Sequence, residues 1–302
     1  MIIFDNITDA ASFPEKTAVT VGKFDGIHVG HRELIRRIVS KKKEGLVPTV
    51  LTIDMNTEDG GLRKNILSLA EENRLFEALG VEILVRVPFT KEFASTEASD
   101  FITEVLVSRL HASYVVSGED FRFGAGRKGG RELLYDMSVP CGYTFEAVPR
   151  LSCRELPVSS TRIRALLAEG SMEEACECMG SPYTVEGKVI HGMALAASLG
   201  FPTANIRPEA EKLLPAYGVY RVEASIGGAE YKGLANLGVK PTVRSEKDPL
   251  LEVYFPGFSG NLYGEKLEVS FEHFIRKERK FKNVFELKKQ IESDLLQVSD
   301  AR

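Results

Sequence analysis

Val21-Gly22-Lys23-Phe24-Asp25-Gly26-Ile27-His28-Val29-Gly30-His31 is the stretch on which the fold turns. Just before it, residues 17–21 are apolar and β-branched, the composition of a buried strand. Just after it, Leu34, Ile35, Ile38 and Val39 recur at helical spacing across 31–43. A strand therefore runs into a glycine-rich loop with two histidines three apart, and a helix follows. Glycines let backbone amides approach phosphate oxygens closely. The first free amides of the helix add a field that favours anions. Imidazole N–H groups can then donate to phosphoryl oxygens as charge builds in an in-line displacement. A lone histidine here would cap its helix or lie on the surface, and a zinc site would want a third ligand nearby, which is not evident. The pair, in this loop, points to a phosphate site.

Outward from the loop the pattern alternates. Residues 47–53, 81–87 and 114–117 read as strands, and 68–79 and 98–110 as helices. Such alternation implies a parallel sheet covered on both faces, with ligands bound beyond the carboxyl ends of its strands. Two helical patterns, 161–169 and 172–179, precede Gly180-Ser181-Pro182, which breaks the helix and sets the expected domains at 1–180 and 183–302. After Pro182 come closely spaced strands at 184–190, 218–226, 230–237, 250–255 and 266–273, with Gly and Pro turns and no helices between them. An antiparallel barrel is expected there. A closing helix carries Leu287, Ile291 and Leu295 as an apolar stripe and is expected to pack on the barrel. The fold class is thus α/β plus β.

Bulk properties bound the function. A chain of 302 residues accommodates two domains, each with its own core. Its 43% hydrophobic and 27% charged residues are those of a soluble globular protein, and a net charge of -4 argues against general nucleic-acid or anionic-membrane binding. Cys141, Cys153, Cys176 and Cys178 lack C-x-x-C spacing and read as reduced thiols. No signal peptide and no bilayer-spanning run is visible, so a cytoplasmic location is expected. The sequence does not give an oligomeric state.

His28-x-Gly30-His31 after a first strand resembles the signature of HxGH nucleotidyltransferases. That motif leaves the acceptor open among pantetheine-phosphate, nicotinate-mononucleotide, cytidylyl and other transfers. Phe24-Asp25-Gly26, the run Gly118-Glu119-Asp120-Phe121-Arg122-Phe123-Gly124 with Arg127 and Gly129, and Ser159-Ser160-Thr161-Arg162-Ile163-Arg164 resemble the flavin adenylyltransferases. In the last segment Ser160 or Thr161 could cap a helix that begins with an arginine, so that hydroxyls, free amides and guanidinium groups would converge on a triphosphate. The resemblance implies attack of the FMN phosphate on the α-phosphorus of ATP, giving FAD and pyrophosphate. By it His28 and His31 stabilise the pentavalent centre, Arg162 holds the departing pyrophosphate and Asp120 orients the substrates. Gly22, Phe24, Asp25, Gly26, Gly30, Arg127, Ser159, Ser160, Thr161 and Arg164 bind the nucleotide, with Mg²⁺ neutralising the phosphates. Many members carry Asp-Pro-His-Pro after the second strand, where this chain reads Thr52-Ile53-Asp54-Met55-Asn56-Thr57.

The second half carries Gly200-Phe201-Pro202-Thr203-Ala204-Asn205. A Pro-Thr-x-Asn turn brings two neutral oxygens together, suited either to Mg²⁺ beside ATP phosphates or to local hydrogen bonds alone. Gly218-Val219-Tyr220, Asn236-Leu237-Gly238-Val239-Lys240-Pro241-Thr242, Leu251-Glu252-Val253, Leu262-Tyr263-Gly264, Phe274-Ile275-Arg276 and Lys280-Phe281 follow in the order seen in riboflavin kinases. Nearly the whole chain is therefore similar to the bacterial bifunctional riboflavin kinases/FAD synthetases. That resemblance implies Glu252 as the catalytic base for riboflavin phosphorylation and Thr203 and Asn205 as Mg²⁺ and phosphate ligands. It also implies nucleotide contacts at Gly192, Gly200 and Pro202, and flavin contacts at Asn236, Thr242 and Arg276. Riboflavin, FMN, FAD and ATP are the implied substrates or products. Ala196-Ala197 stands where the family commonly has Gly-Arg, so weakened ATP binding in the kinase site is expected. A second reading keeps only the FMN adenylyltransferase active and makes the C-terminal domain a degenerate, flavin-binding regulatory module. A third is nucleotidyl transfer to another phosphorylated acceptor.

Overall fold

Alternating apolar strands and amphipathic helices build the first half. Its sheet strands are β1 (Ile2–Phe4), β2 (Thr17–Gly22), β3 (Val47–Asp54), β4 (Ile83–Pro88), β5 (Ala112–Gly118) and β6 (Thr144–Val148). The computed structural model describes all residues except 11, 12, 14, 56–63, 193–197, 240–248 and 300–302. The chain divides into two compact units, Met1–Ser160 and Thr161–Arg302.

In the six-stranded sheet of the first unit every pairing is parallel, in the order β1-β4-β3-β2-β5-β6. Neighbouring residues such as Val50 and Leu51 are both wholly buried, as strands covered on both faces require. From β2 the chain steps outward through β3 to β4, then returns to the other flank of β2 with β5. The order reverses between β2 and β5, and in open parallel sheets ligands bind beyond the carboxyl ends of the strands at such a reversal. The helices Val29–Ser40 and Leu69–Ala78 follow the expected spacing. Expected helix 98–110 begins as Ala98–Asp100 and continues over Phe101–Arg109 as a π-helix, closing with Leu110 N–H on Val105 O at 3.1 Å. Its apolar residues Phe101, Ile102, Val105 and Leu106 are buried, a pattern that looser i→i+5 winding serves as well. The helices Ile7–Ala10, Lys91–Ala94 and Arg131–Cys141, the strands β1 and β6, and the hairpin of β7 (Ser152–Cys153) and β8 (Leu156–Pro157) are additions to the sequence reading.

The second unit opens with most of the helix Ser160–Glu169, then Met172–Met179. Six strands follow: β9 (Tyr183–Ile190), β10 (Ala204–Pro208), β11 (Gly218–Ile226), β12 (Ala229–Val239), β13 (Pro249–Tyr254) and β14 (Lys266–Lys277). They close an antiparallel barrel in the order β10-β13-β12-β11-β14-β9. Gly227 and Gly228, both at positive φ, make the two-residue turn that joins β11 to β12. Leu251, Val253, Ala235, Leu237, Tyr220 and Val222 fill the interior. The helices before the barrel dock on it: Ala216 N–H bonds Leu167 O at 2.9 Å, and Glu173 meets His273 at 2.5 Å. The closing helix Val284–Ser299 packs Ile291, Leu295 and Val298 on Val219, Leu234 and Ile275.

Candidate active sites

At the first site β2 ends at Gly22, and the chain crosses the carboxyl edge of the sheet to the helix Val29–Ser40. Gly26 takes φ +87°, where an added Cβ would crowd Ile66 at 3.1 Å. Ile27 follows at φ 36°, a strained conformation for a buried β-branched residue. Asp25 holds this turn from two sides. Its Oδ1 accepts from Ile66 N–H at 3.0 Å, and its carbonyl accepts from the Ser160 hydroxyl at 2.7 Å. Ser160, one of the two residues expected to cap this helix, is its first residue, and its hydroxyl instead ties the helix to the glycine loop through the Asp25 carbonyl.

His28, and not His31, is the helix cap: its Nδ1 accepts from His31 N–H at 3.3 Å. With Nδ1 accepting, the ring proton of the neutral imidazole sits on Nε2. The two rings stack with centroids 3.6 Å apart and 13° between planes, and Phe24 backs His31 at 4.8 Å. Gly30 leaves room for this, since a Cβ there would stand 3.3 Å from the His28 ring. Burial lowers the His28 pKa to about 4, with Asp25 and Asp120 opposing and Arg150 assisting the shift. Burial, and the adjacent His28, hold His31 well below its ordinary value. His31 Nδ1 is buried and has no hydrogen-bond partner. The site therefore offers neutral N–H donors at a helix N-terminus. Asp120 lies just beyond β5, beside Arg150 at 3.8 Å. Arg127 is exposed in the loop before the helix Arg131–Cys141, at φ 59°. Ser159 is half-buried, immediately before the helix Ser160–Glu169.

Thr161, Arg162 and Arg164 fall in the second unit. Thr161 is exposed, and Arg162 Nη2 donates to Glu174 Oε1 at 2.5 Å. Arg164 is half-buried.

The second site is a row across three barrel strands. Asn205 on β10 stands directly opposite Glu252 on β13, which stands opposite Asn236 on β12. Directly paired residues share a face, so these three side chains line one outer strip of the barrel. The expected Pro-Thr-x-Asn turn does not form: the turn lies earlier, at Leu199 and Gly200, residues 201–203 run on irregularly, and Ala204 and Asn205 already pair in β10. Asn205 is 4% exposed; its Nδ2 donates to Thr203 O at 3.2 Å, and its Oδ1 is buried with no partner. Gly192 packs its backbone against this amide, where any Cβ would collide. Gly200 takes φ +93°, and Pro202 is exposed beside Phe201, whose ring meets Tyr254 edge-on at 5.5 Å. Asn236 Nδ2 also reaches Glu278 Oε1 at 3.4 Å. Arg276 is committed elsewhere: Nη2 meets Asp294 Oδ2 at 2.7 Å and Nε meets both its oxygens. Thr242, Ala196 and Ala197, and the segment from Asn56, lie outside the described residues.

A family model described as FAD synthetase matches residues 10–162, and one described as riboflavin kinase matches 179–301. A bifunctional riboflavin kinase/FMN adenylyltransferase of Haemophilus influenzae is 36% identical, covering 92% of each chain. The chain belongs to this bifunctional family. The Escherichia coli K12 member is 32% identical over 98% of this chain and 96% of its own. A Streptococcus pneumoniae crystal structure, described as a macrolide-efflux protein, shares the fold at a TM-score of 0.89 and 31% identity, covering 100% of this chain and 99% of that one. Among the described residues here, no helix is long and apolar enough to cross a membrane.

As a member of the bifunctional family the chain is an enzyme of flavin-nucleotide biosynthesis with both enzyme domains. That favours the two-activity reading over a degenerate second domain and over another acceptor. Within the first unit the structure brings together Gly22, Phe24, Asp25, Gly26, Gly30, both histidines and Ser160. In the second it aligns Asn205, Glu252 and Asn236 and takes Arg276 into a structural ion pair. Sequence reading missed Arg150, though Pro149-Arg150 directly after a parallel strand is a position where ligand-binding residues occur. It also missed Glu174, Glu278 and Asp294, whose importance lies in side-chain partners distant in sequence.

Proposed function

We propose that residues 1–180 transfer AMP from ATP to FMN and that residues 183–302 phosphorylate riboflavin. The observation that carries the first assignment is the stacked, neutral histidine pair at the helix N-terminus beyond β2. An FMN phosphate oxygen attacks the α-phosphorus of ATP, and the bond to the bridging oxygen breaks as pyrophosphate leaves. His28 Nε2–H donates to the phosphoryl oxygens as their charge rises, and His31, stacked beneath it, supports the same centre. No proton need leave either ring. The loop amides of Gly22, Phe24, Asp25, Gly26 and Gly30 cradle the phosphates, and Asp120, Arg127, Ser159, Thr161 and Arg164 complete nucleotide binding. Arg162 holds the pyrophosphate, with Glu174 setting its orientation.

In the kinase half, Glu252 takes the proton of the ribityl 5′-hydroxyl as its oxygen attacks the γ-phosphorus of ATP, and ADP leaves. The buried, partnerless Oδ1 of Asn205, with Thr203 close by, is a donor set that fits Mg²⁺, a hard cation that takes oxygen ligands. Bound there, Mg²⁺ supplies charge neutralisation for the phosphate chain. Gly192, Gly200 and Pro202 shape the nucleotide side, and Asn236 faces the flavin. The partners are these small molecules, with neither nucleic acid nor membrane among them, and the working compartment is the cytoplasm.

Incubation with riboflavin, ATP and Mg²⁺, followed by chromatography, should yield FMN and then FAD. Starting from FMN should yield FAD directly. Absence of FAD from FMN sinks the first assignment, and absence of FMN from riboflavin sinks the second.

A further inference from the structure

Beyond the residues assigned so far, Arg150 occupies a position that the described chemistry leaves without a task. It follows β6 by two residues, at the carboxyl edge of the strand paired with β5, whose own end carries Asp120. Its backbone is pinned: Arg150 N–H donates to Glu119 Oε1 at 3.1 Å. Its guanidinium is not pinned in the same way. Nη1 stands 3.8 Å from Asp120 Oδ2, beyond hydrogen-bond length, with side-chain exposures of 47% and 64%. An exposed pair at that separation contributes little to stability. An anchored backbone carrying an exposed, always-charged fork suits capture of a phosphate. The charge also reaches the reacting centre, since Arg150, Asp120 and Asp25 are the charged groups whose fields act on His28.

We propose that Arg150 is a phosphate-binding residue of the adenylyl-transfer site, resting on Asp120 and transferring its guanidinium to a phosphate of ATP or FMN when substrate binds. Asp120 then has a second role, holding the fork over the crevice while the site is empty. The proposal rests on assigning adenylyl transfer to the His28–His31 loop.

Arg150→Ala and Arg150→Lys in the full chain, each assayed for FAD formation with either substrate varied, test it. Loss of one charge-assisted phosphate contact should raise one Michaelis constant roughly ten-fold. A rise for ATP with FMN unchanged assigns the fork to the nucleotide, and the reverse assigns it to the FMN phosphate. Lysine should recover part of the loss. The imidazole of His28, followed by NMR, should titrate at higher pH in Arg150→Ala than in the parent, a shift that a distant structural role would not produce. Both Michaelis constants unchanged in an active Arg150→Ala enzyme overturn the proposal, and an unmoved His28 titration overturns the geometry beneath it. A parent chain that makes no FAD from FMN removes the reading of the site itself, which separates that failure from the failure of Arg150.

Discussion

His28 shows how one backbone contact can select a chemistry. Because Nδ1 is spent on the N–H of His31, the ring presents only its Nε2 edge, and burial keeps it neutral near pH 7. His28→Ala removes the cap and the donor together. FAD formation should fall roughly 100-fold or more in kcat, as for loss of an oxyanion-type donor, with a smaller change in the Michaelis constants. FMN formation from riboflavin should persist, and its loss would mean that the variant had failed to fold. Titration gives a second outcome. The folded ring titrates near 4 against 6.5 for the ordinary side chain, so between those values the unfolded chain binds more protons. The stability that His28 confers is complete above about pH 6.5 and is lost as pH falls toward 4. Urea midpoints of the parent should drop between pH 7 and pH 5 by more than those of His28→Gln. The sequence made the loop legible through its glycines and paired histidines. It could not say which histidine caps, because a three-residue spacing allows either ring to face the helix amides.

At the scale of elements, the alternation of strand and helix was readable because burial on both faces leaves long apolar runs. The barrel strand β10 was not readable. Its five residues include Pro208 and follow Pro202, and proline clusters signal turns. The strand exists because Asn205 and Ile206 pair on both sides, with β9 and with β13, a tertiary fact that no local pattern records. The closing helix was readable from its apolar stripe, while its polar anchor was not. Arg276 grips Asp294 through two nitrogens, and Asp294 is 1% exposed. Asp294→Ala should therefore destabilise the second unit by about 2 kcal/mol, below the range for fully buried pairs because Arg276 is partly exposed. Chemical denaturation measures this, and Asp294→Asn should lose less because it retains an acceptor. Should Arg276 instead serve the flavin directly, Asp294→Ala would leave stability alone and change the Michaelis constant for riboflavin.

For the whole molecule, the histidine pair beyond β2 and the Asn205–Glu252–Asn236 row on the barrel carry different chemistry on residues far apart in sequence, which makes the two activities separable by single substitutions. Glu252→Gln keeps the volume and the strand pairing but cannot accept a proton, so FMN formation should fall by roughly 100-fold or more while FMN is still converted to FAD. His28→Ala should show the converse, accumulating FMN from riboflavin. Neither variant alone should turn riboflavin into FAD at an appreciable rate. A mixture of the two should do so, after a lag during which free FMN builds up, because one protein supplies the intermediate that the other adenylylates. The lag should shorten as the concentration of the Glu252→Gln protein rises, since capture of free FMN is second order. A mixture that accumulates FMN yet makes no FAD, although Glu252→Gln alone adenylylates added FMN, would contradict exchange through solution. If Glu252→Gln phosphorylates riboflavin as fast as the parent, then the carboxylate between Asn205 and Asn236 is not the base, and the row across β10, β13 and β12 has been given the wrong chemistry.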